Sequence, residues 1–179
     1  MAIVDTSRRK KTTNNNSIKN ITKWKDIIMK KIVEDDEMAK LLVYQTPDCL
    51  SKPVPSEEER YGLINKQVTG HRFTKEIVSE SKSWISLSMY NFVPEESFRH
   101  FSDSYLMGNI YFYIIVYSGI MDTETGYRQD LILARLYDLF DESVDLGIGR
   151  LKLSTMIENW EHGNKLGGYT LGFKTVDFK

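Results

Sequence analysis

The stretch Ile110-Tyr111-Phe112-Tyr113-Ile114-Ile115-Val116-Tyr117 decides the fold. Read as a strand, it puts Ile110, Phe112, Ile114 and Val116 on one face and Tyr111, Tyr113, Ile115 and Tyr117 on the other. Both faces are apolar or aromatic, so both need cover, as in the interior of a layered domain. The run is far shorter than the roughly 20 residues that a membrane-spanning helix takes.

Upstream, Ile85, Leu87 and Met89 alternate with Ser86, Ser88 and Tyr90, which predicts a strand from Trp84 that ends at Pro94. Residues 95–108 read as a polar connection containing Glu95-Glu96. Downstream, Asp122 to Gly126 is a turn, and a helix is expected from Tyr127 to Phe140 with Ile132, Leu136, Leu139 and Phe140 on one side. Asp130 in its first turn suits the helix dipole. Gly147 and Gly149 end that region. A third strand is expected over Arg150 to Ile157, a polar glycine-containing loop over Asn159 to Gly168, and a last strand over Tyr169 to Phe178. The pairs 84–93 with 109–118 and 150–157 with 168–178 read as antiparallel hairpins, because short connections do not permit a parallel crossover.

Towards the N-terminus, Ile21, Trp24, Ile27, Ile28 and Ile32 recur at helical spacing, with Ser17 or Asn20 as candidate caps. Asp35 can cap a second short helix carrying Met38, Leu41 and Leu42. Pro47, Pro53 and Pro55 mark a loop that feeds a short helix reaching Lys66. Val68 to Ser83 is irregular, with a short strand around Phe73 to Val78 as the alternative. Residues 1–17 hold Arg8-Arg9-Lys10-Lys11 and a polar run, and are expected to form a flexible arm. The expected architecture is α+β: an N-terminal helix and an antiparallel sheet of two hairpins with a helix inserted between them. It forms a single domain over 18–179, with an insertion at 45–83.

Composition narrows the function. A net charge of −1 implies no nucleic-acid partner from bulk electrostatics. A single cysteine, Cys49, excludes an internal disulfide and a cysteine-based zinc site. Aromatic residues make up 12%, which points to more buried surface than one core needs. No secretory signal is visible at the start of the chain.

No pattern points to catalysis. His71, His100 and His162 never fall at helical metal-ligand spacing. Asp48-Cys49-Leu50 carries no nucleophile signature. Asp35-Asp36 and Glu95-Glu96 are neighbours in sequence, whereas acid–base work needs carboxylates that converge on one substrate. Gly147-Ile148-Gly149-Arg150 lacks the Gly-Lys-Ser/Thr ending of a phosphate loop and follows a helix instead of opening one. No catalytic residue, cofactor or metal is therefore expected. Candidate subunit contacts are Tyr111, Tyr113 and Tyr117 on the aromatic strand, with Arg128 and Asp130 at the helix start. Arg8, Arg9, Lys10 and Lys11 form a candidate docking arm.

Three stretches carry a family resemblance: Ile110 to Tyr117; Gly126-Tyr-Arg-Gln-Asp-Leu-Ile132 leading into Arg135-Leu-Tyr-Asp-Leu-Phe140; and Gly168-Tyr-Thr-Leu-Gly-Phe173. From Trp84 to Phe178 the chain resembles the tail-terminator and head–tail joining proteins of tailed bacteriophages. The resemblance implies a non-enzymatic ring in the neck of a virion, most often a hexamer. Such a ring caps the tail tube, meets the head connector and leaves a lumen through which DNA passes without specific binding, with assembly in the host cytoplasm and no membrane partner. Two alternatives remain: another tail-completion, connector or baseplate adaptor protein, or a nucleic-acid-binding module using the basic arm and the tyrosines.

Overall fold

The computed structural model describes residues 20–72, 81–94, 105–161, 163 and 165–178, without the side chains of 91–94, 105–107, 161 and 176–178. The expected arm, the alternative strand at Phe73 to Val78, most of the 95–108 connection, His100 and His162 lie outside the described residues.

The chain enters through α1 (Ile21–Glu34). Its inward stripe is Trp24, Ile28, Met29, Ile32 and Val33, the i, i+4, i+5, i+8, i+9 spacing of one buried helical face. Asn20 precedes it without making a side-chain cap. Asp35 starts α2 (Asp36–Val43) by accepting the Met38 backbone N–H at 2.9 Å. A short helix, α3 (Glu57–Tyr61), opens on a reciprocal Ser56–Glu59 capping box and stops before Lys66, earlier than expected.

The sheet has the order β1-β2-β3-β7-β6, with β1 (Val68–Thr69), β2 (Ser83–Pro94), β3 (Tyr105–Tyr117), β6 (Arg150–Glu161) and β7 (Leu166–Phe178). Both predicted hairpins are present, and β3 pairs with β7 to join them into one antiparallel sheet. Strand β1 was not foreseen: it lies parallel to β2, matching Val68 to Ile85. The turn at Asp122 to Gly126 is a minimal hairpin of β4 (Asp122–Thr123) and β5 (Gly126–Tyr127), which leads into α4 (Arg128–Phe140).

Helices α1, α2 and α4 cover one face of the sheet, and the α+β class read from the sequence holds. The main core joins Ile28, Ile32, Leu41 and Leu42 from the helices to Ile85, Leu87, Ile110, Phe112, Ile114, Leu171 and Phe173 from the strands. At its centre Phe112 stacks on Phe140, with ring centroids 4.8 Å apart, and meets Phe173 edge-on at 5.9 Å. Cys49, Leu63 and Val68 belong to this same core, so residues from the 45–83 segment help to build the domain.

Three strand limits differ from the sequence reading. Strand β3 already begins at Tyr105, inside the expected 95–108 connection. Strand β6 continues past Ile157 to Glu161, and β7 already begins at Leu166, so the expected loop from Asn159 is mostly strand. The alternation of β6 is broken by a bulge between Leu153 and Thr155, and this hid its second half.

Candidate assembly surface

The predicted tyrosines share the sheet face turned away from the helices. Tyr111, Tyr113 and Tyr117 are half-buried on β3, opposite Gly172, Thr170 and Leu166 of β7. The Tyr111 ring sits in the space a side chain at Gly172 would fill: a Cβ there would come within 2.7 Å of it. The Arg72 guanidinium lies 4.8 Å from the centre of the Tyr113 ring. Trp84 and Leu166 are buried with Ile115 and Tyr117 in a second, smaller cluster on this face. Contacts within the chain therefore already engage much of the aromatic face.

Arg128 is not a surface residue. Its side chain is fully buried. The guanidinium donates to the carbonyls of Ile120 (2.8 Å), Leu41 (2.8 Å), Tyr44 (2.8 Å) and Thr46 (3.0 Å). These join the end of α2, the loop after it and the turn before β4. Burial lowers the pKa of the guanidinium, and the adjacent Cys49 raises it. Arg128 is thus an internal tie, and the expectation that it contacts a neighbouring subunit is corrected: nothing outside the chain can reach it. Asp130, two residues on, is exposed and accepts the Tyr169 hydroxyl at 2.8 Å. Burial first, then this hydrogen bond, pushes the Tyr169 pKa up to about 12.

Arg8, Arg9, Lys10 and Lys11 lie outside the described residues. His71 is exposed, and among the described residues no three His, Cys, Asp or Glu side chains come together to hold a metal ion. No described helix is long and apolar enough to cross a membrane.

The surface that sequence reading missed is the edge strand β6. Leu153, Met156, Ile157 and Trp160 are 44%, 56%, 53% and 50% exposed, the densest set of bare apolar side chains on the described chain. Their pairing partners place Leu153, Met156, Glu158 and Trp160 on the helix-layer face, where they nonetheless stay exposed. Trp160 lies over Gly167 and donates its indole N–H to Glu158 at 3.1 Å, and Glu158 in turn pairs with Tyr169, which binds Asp130. The signal was present in the sequence as apolar residues spaced through a polar segment, but they were divided between a strand and a loop.

The edge itself has two states. Residues 141–143 cover its first part: Leu151 donates to the Ser143 carbonyl at 3.0 Å and accepts from Glu142 at 2.8 Å, and Leu153 donates to the Asp141 carboxylate at 2.8 Å. Beyond Thr155 no described residue pairs with the outer edge. The second part thus offers an unpaired strand edge beside exposed apolar side chains, which is the chemistry of strand addition.

Comparison with curated proteins and with solved structures gives no match. The YomW family model matches residues 35–175, from the cap of α2 into β7, and the chain therefore belongs to the YomW family, a family of phage-related proteins.

Proposed function

We propose that the protein is a structural subunit of a phage neck, forming a ring that terminates the tail tube and joins it to the head connector. The observation that carries this reading is the half-uncovered β6: a long edge strand with Met156, Ile157 and Trp160 exposed beside it. Single-domain proteins that act alone blunt such an edge with charges, bulges or a covering segment. Here, among the described residues, the covering segment stops at Leu153, and beyond the bulge Met156, Ile157 and Trp160 stay exposed with Glu158 as the one charge on residues 154–160. The phage-related family supports the particle context, and the resemblance of the C-terminal half to tail-terminator proteins supports the neck.

The nucleic-acid alternative fits less well. Base stacking needs open aromatic faces, whereas Tyr113 already carries Arg72 and Tyr111 lies over Gly172. Two measurements test the reading: mass spectrometry of purified virions, and electron microscopy of particles labelled at this protein. Label at the head–tail junction is the expected result. Its absence from mature particles, or its position at the distal tail, overturns the neck assignment.

A further inference from the structure

The free part of β6 has a defined polarity. Leu151 and Leu153, whose backbone groups turn to the outer edge, pair with Thr175 and Phe173 of β7. Met156, Glu158 and Trp160 pair with Leu171, Tyr169 and Gly167, and the alternation of an antiparallel ladder therefore turns their backbone groups outward as well. An incoming strand would meet these three, with Met156 and Trp160 as apolar contacts and Glu158 as a charge. No Lys or Arg lies between Leu153 and Glu161, whereas Glu158 and Glu161 both do, and Asp130 stands nearby. The free edge is apolar and acidic.

A segment with the complementary character is in the chain itself. Residues 2–11 read Ala-Ile-Val-Asp-Thr-Ser-Arg-Arg-Lys-Lys: strand-forming Ile3, Val4 and Thr6 followed by four cations. The position where α1 begins tells where this segment leaves the domain. The N-terminal half of α1 lies beside β1, with Lys25 donating to the Gly70 carbonyl at 2.6 Å. Its C-terminal half reaches the loop before β6, with Lys31 bound to Asp145 at 2.8 Å. The start of α1 thus lies on the β1 side, about 19 Å or four strand spacings from the β6 edge of its own sheet. A neighbouring copy placed with its β6 edge beside this β1 edge receives the segment directly.

We propose that the N-terminal arm of one copy adds as a strand to the free edge of β6, residues 155–161, in the next. In a parallel register Val4 lies beside Met156, Thr6 beside Glu158 and Arg8 beside Trp160, which brings the cations that begin at Arg8 to the Glu158 end of the edge. The contact is head-to-tail, the type that closes into rings. It deepens the ring reading by naming its joint, and relies on that reading only for the association of copies.

The test is sedimentation equilibrium of the full chain at low salt. Reversible self-association is expected. Reversing the arm charges (Arg8, Arg9, Lys10 and Lys11 to Glu) weakens it about tenfold, and so does Glu158→Lys with Glu161→Lys. Combining both sets in one chain restores it, while urea midpoints stay unchanged throughout. Association that ignores both sets, or a combined variant that stays weak, overturns this joint and leaves the ring reading to another surface. A chain that stays monomeric at every concentration, with the arm folded on its own β6 or unbound, also overturns it. The location of the protein in virions is measured separately, so the two failures are distinguishable.

Discussion

Arg128 carries a full charge into the core, where backbone carbonyls receive it instead of a carboxylate. Its planar fork reaches acceptors on three separate segments, which a lysine ammonium cannot do. Arg128→Met leaves those carbonyls buried without a donor, and the expected cost is about 3 kcal/mol or more. Arg128→Lys keeps the charge but satisfies fewer acceptors, and should fall between. Urea denaturation of the three proteins checks the order. An arginine opening a helix reads in sequence as an ordinary first-turn charge, and nothing in its neighbours Tyr127 and Gln129 marks it as buried. Tyr169 gives a second prediction at this scale. The fold holds the neutral phenol, so its contribution to stability is complete below the ordinary tyrosine value of 10.0 and is lost as pH rises through about 12. Burial is the larger cause, so Asp130→Asn should lower the Tyr169 pKa yet leave it above 10.0. Absorbance titration of the phenolate band, with Tyr169→Phe as the blank, reads both values.

The elements are held together by residues that serve two partners. Asp35 caps α2 through the Met38 N–H and also binds Arg135 of α4, with Arg135 Nε at 3.2 Å. The carboxylate is only 12% exposed, so this ion pair is less screened than the surface pairs at Lys30–Asp26 or Arg60–Asp36. Asp35→Asn keeps a capping oxygen and loses the charge, with an expected cost of about 1 kcal/mol. Asp35→Ala loses both, and should cost about 2–3 kcal/mol. Thermal or urea unfolding separates the two, and equal costs would mean that the charge alone matters and the cap contributes nothing. Elements whose period is unbroken were legible from sequence: α1 and α4 by their buried stripes, β2, β3 and β7 by alternation. Those that depend on distant residues were not. Two-residue β1 has no period to read, and β6 changes phase at its bulge. The same break hid the candidate surface, because Met156 and Ile157 stand next to each other on opposite faces, where an uninterrupted reading sees only a strand end.

At the scale of the whole molecule, one helix layer covers a five-stranded sheet that is wider than the layer. The helices bury the core-facing side chains of β3, β7 and the start of β6, whereas Met156 and Trp160 farther along β6 stay exposed. That mismatch separates folding from assembly. Side chains past the helix layer contribute little to the stability of one copy, so selection for folding alone does not explain apolar residues there. Met156→Lys with Ile157→Lys should therefore leave the urea midpoint within about 0.5 kcal/mol per site, as for ordinary surface changes. The same double variant should weaken self-association and suppress aggregation at high concentration, since it places two cations on the free edge. Salt adds a second discrimination. Added salt screens charge pairing between the basic arm and the acidic edge, with a Debye length near 10 Å at 0.1 M. Association of the unaltered chain should then weaken between about 0.05 and 0.5 M salt. A seam made only of apolar contacts would hold or strengthen over that range. Light scattering across the titration reads the sign directly, and a rise in association with salt would exclude the arm as the dominant partner of β6.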